Sequence, residues 1–463
     1  MSAPWTLCID FGTAFSKAAV APSTAWNAFT PATVRPLMLG GPGQGNSFLL
    51  DSAVFVDDDR VLFGSAAVAR AEALSVQKRL ALRSFKTLLS VSDLERALNT
   101  SLPRSLDPHR AFTQRDLIVL YLAYLSAAIG RACAADQVLS RGVTFDSRYA
   151  APAWRSGDAA GSHELIVRLF AEGDAIRAAL GSEILAPQGL PLQTALKAVA
   201  AARSADTAAA QLGLIYEATA AAAYTSIGLN SDASHIIVVD MGAGTTDIAA
   251  MARAGAHVYE LAEARVTLKQ AGDFVDRVIV NIALEASPEL KTPQRQAELW
   301  RMMFRSMRDI KETLFLDGRV GFRFEGRLIT VSLKDLERDD DFKEFIANLE
   351  RAYEHGLAAV RDHAKREKAR DLMAVAVGGG AFAPFIQKLI RRKPPNAGRI
   401  KVQPRPATPD WAHAPEFGGN LAPVFPQLAI AIGGALAPES MLALRAGASR
   451  PANVQTGNPP ARD

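Results

Sequence analysis

Cysteine is nearly absent. Cys8 and Cys133 are the only two in 463 residues, which excludes a disulfide framework, a CxxC redox pair and a thiolate cage for zinc or iron–sulfur. The seven histidines are scattered singly, and HExxH, GxSxG and the GxxxxGK[ST] phosphate loop are all missing. Excess charge is small as well: 52 basic against 48 acidic residues leaves +4, too little over this length to argue for nucleic acid. The uncharged apolar stretch Leu117 to Gly130 falls short of the roughly 20 residues a membrane span requires. The N-terminal Met1 to Asp10 lacks the basic and long apolar segments of a secretory signal. These absences predict a reducing, cytoplasmic setting, with no membrane and no nucleic-acid partner.

What is present is a globular composition, 49% hydrophobic and 22% charged. At about 150 residues per domain the length suits three folding units or two large lobes. Thr6 to Ile9 and Ser16 to Ala21 are apolar runs around Asp10-Phe-Gly-Thr13, which predicts a hairpin. Ala53 to Val56 and Val61 to Phe63 repeat that pattern, and helical sequence follows to about Leu89. Thr113 with Asp116 reads as a capping box before a buried helix over Leu117 to Leu139. Strand sequence at Val143 to Phe145 and Tyr149 to Pro152 precedes helices from about Gly161 to Arg203; Leu212 to Ile215 then runs into a helix at Glu217. His235 to Asp240, a glycine turn and Asp247 to Met251 form a second hairpin. Beyond it lie a helical, charged region with a strand pair near Val320 to Val331, the strand Ala374 to Val377, a helix from Pro384 to Arg392, a strand at Arg399 to Val402 and an apolar helix over Leu428 to Leu436. Gly447 to Asp463 reads as a disordered tail.

Two hairpins of the form strand-Asp-x-Gly, Asp10-Phe-Gly-Thr13 and Asp240-Met-Gly-Ala-Gly-Thr-Thr-Asp247, carry the chemistry a polyphosphate clamp needs. Glycine lets backbone amides approach an anion, a threonine adds a hydroxyl, and each strand ends on a carboxylate. Across a cleft, Asp10 and Asp240 would hold the water shell of a magnesium ion, which takes few direct protein ligands. Each feature alone has a plainer reading: an ordinary turn at Asp10, a loop at Gly378-Gly-Gly380, a helix-start carboxylate at Glu217 and a solvated charge at Lys311.

The order Asp-x-Gly-Thr, Glu217-Ala-Thr-Ala-Ala-Ala, Asp-x-Gly-x-Gly-Thr-Thr-Asp and Val377-Gly-Gly-Gly resembles the actin, hexokinase and heat shock protein 70 superfamily of ATPases, most closely the nucleotide-binding domain of the heat shock protein 70 chaperones. Ala271 to Asp276 and Ala151-Pro-Ala-Trp154 add to the likeness, which covers about residues 5 to 437. The resemblance implies an α/β, actin-like ATPase fold: two lobes, each on a ribonuclease H-like mixed sheet, with helical subdomains around a central nucleotide cleft. It puts residues 1–229 and 424–446 in the first lobe and 230–423 in the second. ATP or ADP and Mg2+ are the implied cofactors. Asp10, Gly12 and Thr13 match the first phosphate loop, and Gly242, Gly244, Thr245 and Thr246 the second. Glu217, Asp240, Thr245 and Asp247 take catalytic positions; Asp10, Asp240 and Glu217 face the metal, the last two through water. Lys311 matches a ribose-side lysine, and Gly378, Gly379, Gly380 and Phe382 the adenosine motif.

This chain also departs from the pattern. Val68 stands where the family has a phosphate-reaching lysine, with Arg70 as a displaced substitute. Ala14 replaces a threonine, Arg308 and Glu312 are reversed in charge, and Phe382 replaces an arginine. No peptide-binding domain follows, while inserted sequence near Ser90 to Phe112 and from about 155 to 205 offers surface for a protein partner. The expected function is a slow ATPase acting as a chaperone-like conformational switch. The alternatives are an actin-like filament protein, a small-molecule kinase and a nucleotide-free scaffold.

Overall fold

The protein is described by a computed structural model, in which residues 5–27, 29–41, 45–83, 85, 93–151, 159–205, 212–229, 233–254, 257–288, 290 and 292–445 are described. The tail from 447 and Trp154 lie outside them, as does the start of the first insertion.

The fold is mixed α/β, and its two main sheets are built to one plan. In the first, β1 (Trp5–Phe11) and β2 (Phe15–Pro22) form the opening antiparallel hairpin, while β3 (Phe145–Ala151) and β4 (Leu212–Tyr216) add in parallel on the other side of β1. Short strands Arg35–Pro36, Leu50–Asp51 and Leu444–Arg445 complete its seven. In the second, β5 (His235–Met241) and β6 (Thr246–Ala254) form the hairpin, β7 (His257–Glu260) and β8 (Val266–Leu268) pair with β6, and β9 (Asp371–Val377) and β10 (Lys401–Arg405) add in parallel beside β5.

Alternation along these strands sorts the side chains onto two faces. Leu7, Ile9 and Phe11 join the core formed with helices α1 (Gln114–Ala135) and α2 (Ala159–Leu180). Cys8 faces the other way, into a core that also takes Ile236 and Val238 from β5. Ile237 and Val239 turn instead to α4 (Gly272–Glu285) and α7 (Asp340–Arg366). Between the sheets the shared core is filled by α3 (Glu217–Ala223) and α9 (Phe425–Leu436), so the layers run helix, sheet, helix, sheet, helix. The central helices meet closely because they are small at the contact: a Cβ on Gly433 would overlap the carbonyl of Ala220.

Several boundaries differ from the sequence reading. The helix after the second hairpin-like unit ends at Ala73, since Lys78 is left-handed and Leu82 bridges to Val54. The two strand segments expected around 143–152 form a single strand, β3, paired to β1 and β4. The helix at Pro384 stops at Leu389, and the strand expected at Arg399 begins at Lys401. Thr113 and Asp116 do form a reciprocal capping box, but it starts a 22-residue helix. By length and composition α1 can cross a membrane, which corrects the reading of its uncharged middle as too short; 61% of its most apolar window is buried inside the fold.

Candidate functional site

The first loop closes between Phe11 and Ser16, and its register sets Asp10 directly opposite Lys17. Both are buried, at 2% and 8% exposure, and Lys17 Nζ lies 2.6 Å from Asp10 Oδ2. The ammonium also lies over Gly12, 3.1 Å from where a Cβ would stand. A cation so placed compensates the carboxylate that a strand end has removed from water. The amides of Thr13 and Ala14, at the accessible tip, have no acceptor among the described residues.

The second loop has the same length and register. Asp240 ends β5 and is buried; opposite it stands Asp247, a second carboxylate. Asp247 is held at both oxygens, by the Thr245 hydroxyl at 2.9 Å and by that of Thr267 on β8. Gly242 donates to the Thr245 carbonyl to tighten the turn, while the amides of Ala243 and Gly244 again meet no acceptor among the described residues. The start of α4 grips this loop from behind: Gly272 and Asp273 amides donate to the carbonyls of Gly242 and Ala243. Thr246 is turned away, fully buried, its hydroxyl donating to the Gln270 carbonyl, so the fold does not bring it to the loop tip.

Lys311, on α6 (Met307–Asp317), reaches the same place. Its Nζ pairs with Asp276 of α4 at 2.7 Å and lies beside Gly272. Burial raises the Asp276 carboxyl against the opposing pull of Lys311, and burial with Asp276 nearby raises Asp273. Glu217 is buried at the first turn of α3, immediately after β4. Ladder register aligns Asp10 with Ala150 and Ala150 with Ile215, so Asp10 and Glu217 leave the same edge of the first sheet. Burial foremost, with both carboxylates adding, pushes the Cys8 thiol up to about 12.

The glycine row follows β9, whose Val377 is paired with Asp240. Gly378 is left-handed at φ +82°, and any Cβ there would strike Asp240 Oδ1. Gly380 similarly lies against Met241. The room these two provide is taken by the protein itself, whereas Gly379 is open apart from the edge of Gln427. Phe382 is 55% exposed, so its ring is not part of the core.

The departures resolve in physical terms. Val68 packs with Ala53, Phe55, Leu62 and Ala67. Arg70 is bound to Asp57 at 2.5 Å and is not a free substitute for the missing lysine. Arg308 and Glu312 pair with each other on the surface of α6 at 2.8 Å. Lys17, which the sequence reading passed over inside an apolar run, is the buried cation of the first loop; its signal was a lysine seven residues after Asp10. Thr267 and Asp276 were also missed, and only the ladder and helix contacts reveal them.

Among the described residues no three ligating side chains form a ready metal cluster. Asp10, Glu217 and Asp240 are nevertheless hard carboxylates at strand and helix ends, the donor type that holds magnesium through its waters. A depression of about 380 Å3 between Ile282, Glu285, Thr330 and Asp339 lies at the C-terminal end of α4 and is lined by none of these residues. No protein-family model matches this chain, and no curated protein matches it.

Proposed function

We propose that the chain is an ATP-binding protein of the actin, hexokinase and heat shock protein 70 superfamily: two lobes of actin-like fold, with Mg2+–ATP or Mg2+–ADP in the cleft, working as a slow ATPase and chaperone-like conformational switch. One observation carries the reading. Two turns of equal length, at corresponding edges of two sheets with the same strand plan, each join a buried carboxylate to two adjacent amides with no acceptor among the described residues. Such amides bind phosphate oxygens without changing charge.

On this reading Thr13 and Ala14 take one side of the phosphate chain and Ala243, Gly244 and Thr245 the other. Lys17 turns part of its charge from Asp10 to a phosphate oxygen. Magnesium, when bound, neutralises developing charge on the phosphoryl oxygens. Asp10 and Asp240 would hold its water shell, with Glu217 on the same side as Asp10. Asp247, pinned by two threonines, orients a nucleophilic water by accepting its hydrogen bond. Lys311 and Gly379 accompany the nucleoside, and the exposed ring of Phe382 is available to stack on a base. Differential affinity of the closed arrangement for nucleotide drives the change presented to a protein partner.

A single-turnover assay with excess protein and limiting labelled ATP tests this. The wild type is expected to bind and to release product slowly, and Asp240→Ala to lose magnesium-dependent binding about 100-fold or more. Equal Mg2+–ATP affinity in the two proteins would overturn the assignment.

A further inference from the structure

At the opposite end of β5 from Asp240, four side chains from three segments form an unbroken line. Ser234 Oγ lies 3.0 Å from His235 Nδ1, His235 Nε2 lies 3.0 Å from His363 Nδ1, and His363 Nε2 lies 3.1 Å from the Tyr259 hydroxyl. The Ser234 hydroxyl donates to the Asp371 carbonyl at 2.9 Å. A hydroxyl has one hydrogen, so Ser234 must accept from His235, which therefore carries its proton on Nδ1. His235 Nε2 is then a bare acceptor, His363 must donate from Nδ1, and Tyr259 donates to His363 Nε2. One carbonyl thus fixes the direction of every bond in the line.

We infer that this line is an acid-sensitive latch that ties β7 and the last turn of α7 to the foot of β5 and to β9. It tolerates one added proton: Tyr259 can turn its oxygen to accept from a doubly protonated His363. A second proton sets two N–H groups head to head between the rings and breaks the line. His235 is 2% exposed and flanked in the sheet by Ala252 and Leu372, whose side chains have no polar atom to stabilise a charge there. The charged groups on the packed elements are Asp371 on β9, Arg253 on β6, Glu260 on β7, bound to Arg265, and Asp362, Lys365 and Arg366 on α7; none completes the line. Burial, with His363 adding, holds His235 down at about 4. Its ordinary value is near 6.5, so the unfolded chain binds the extra proton first. Stability is intact above that value and falls as pH falls through the window down to about 4.

Two measurements on the full chain test the latch, and neither depends on nucleotide. Histidine-selective 15N NMR at pH 7.5 is expected to show both His235 and His363 as Nδ1–H tautomers; an Nε2–H form of either ring would overturn the line. Urea unfolding at pH 7.5 and 5.0 is expected to show the folding constant falling about 30-fold more in wild type than in His235→Asn. His363→Asn, whose amide can turn its oxygen toward a protonated His235, keeps the test open if His235→Asn does not fold, and is expected to shrink the acid loss. The same acid loss in wild type and in His363→Asn would overturn the latch.

Discussion

The two Asp-x-Gly hairpins share strand plan, length and register, yet differ in the charge that faces the carboxylate at the strand end. Opposite the strand-ending carboxylate the first has Lys17 and the second has Asp247. The first loop is therefore charge-balanced before anything binds, whereas the second sets one buried carboxylate beside another and steadies the outer one with threonine hydroxyls. A buried ion pair is balanced within the folded state, while two facing carboxylates each disfavour the charge of the other. The same backbone thus supports an ion pair in one hairpin and, on the function proposed above, a reactive edge in the other.

The largest way to break this asymmetry is Lys17→Met. It leaves Asp10 buried without its counter-charge and is expected to cost about 3–5 kcal/mol in urea unfolding, with Asp10→Asn/Lys17→Met recovering part of the loss. Next comes Gly378→Ala, which forces a left-handed alanine onto Asp240; a stability loss of about 1–3 kcal/mol with weakened Mg2+–ATP binding by calorimetry is expected. Thr267→Val frees one oxygen of Asp247, and turnover should fall about tenfold while nucleotide affinity stays within threefold; loss of affinity instead would mean that Thr267 supports the binding loop. The smallest effect sharpens the contrast from outside. Exchanging Arg308 and Glu312 reverses an exposed pair and should change stability by under about 0.5 kcal/mol, read by thermal unfolding.

How much of this was legible in the sequence follows from the range of each signal. The two Asp-x-Gly turns, the box at Thr113 and the strand into Glu217 are local patterns, and each appears where the residues placed it. Lys17 was hidden because a lysine within an apolar strand reads as a surface break until its partner across the hairpin is known. Thr267 sits on a three-residue strand too short to show a period, and its tie to Asp247 spans 20 positions. His235 and His363 are 128 residues apart, beyond any spacing rule. The glycine row was recognised as a place of close backbone approach, but which neighbour approaches is set by tertiary packing: Asp240 and Met241 claim two of the three positions.

The placement of α9 has a consequence for how the chain is made. This helix, residues 425–436, buried at every position except Gln427, packs against β1 and β2 at the opposite end of the sequence, and the strand at 444–445 closes the edge beside β4. During synthesis from the N-terminus the part of the first sheet's face that α9 covers therefore stays open while all of the second sheet is being added. The nascent protein carries an exposed apolar surface for most of its translation, a period in which a holding factor at the ribosome would matter more than it does for the finished molecule.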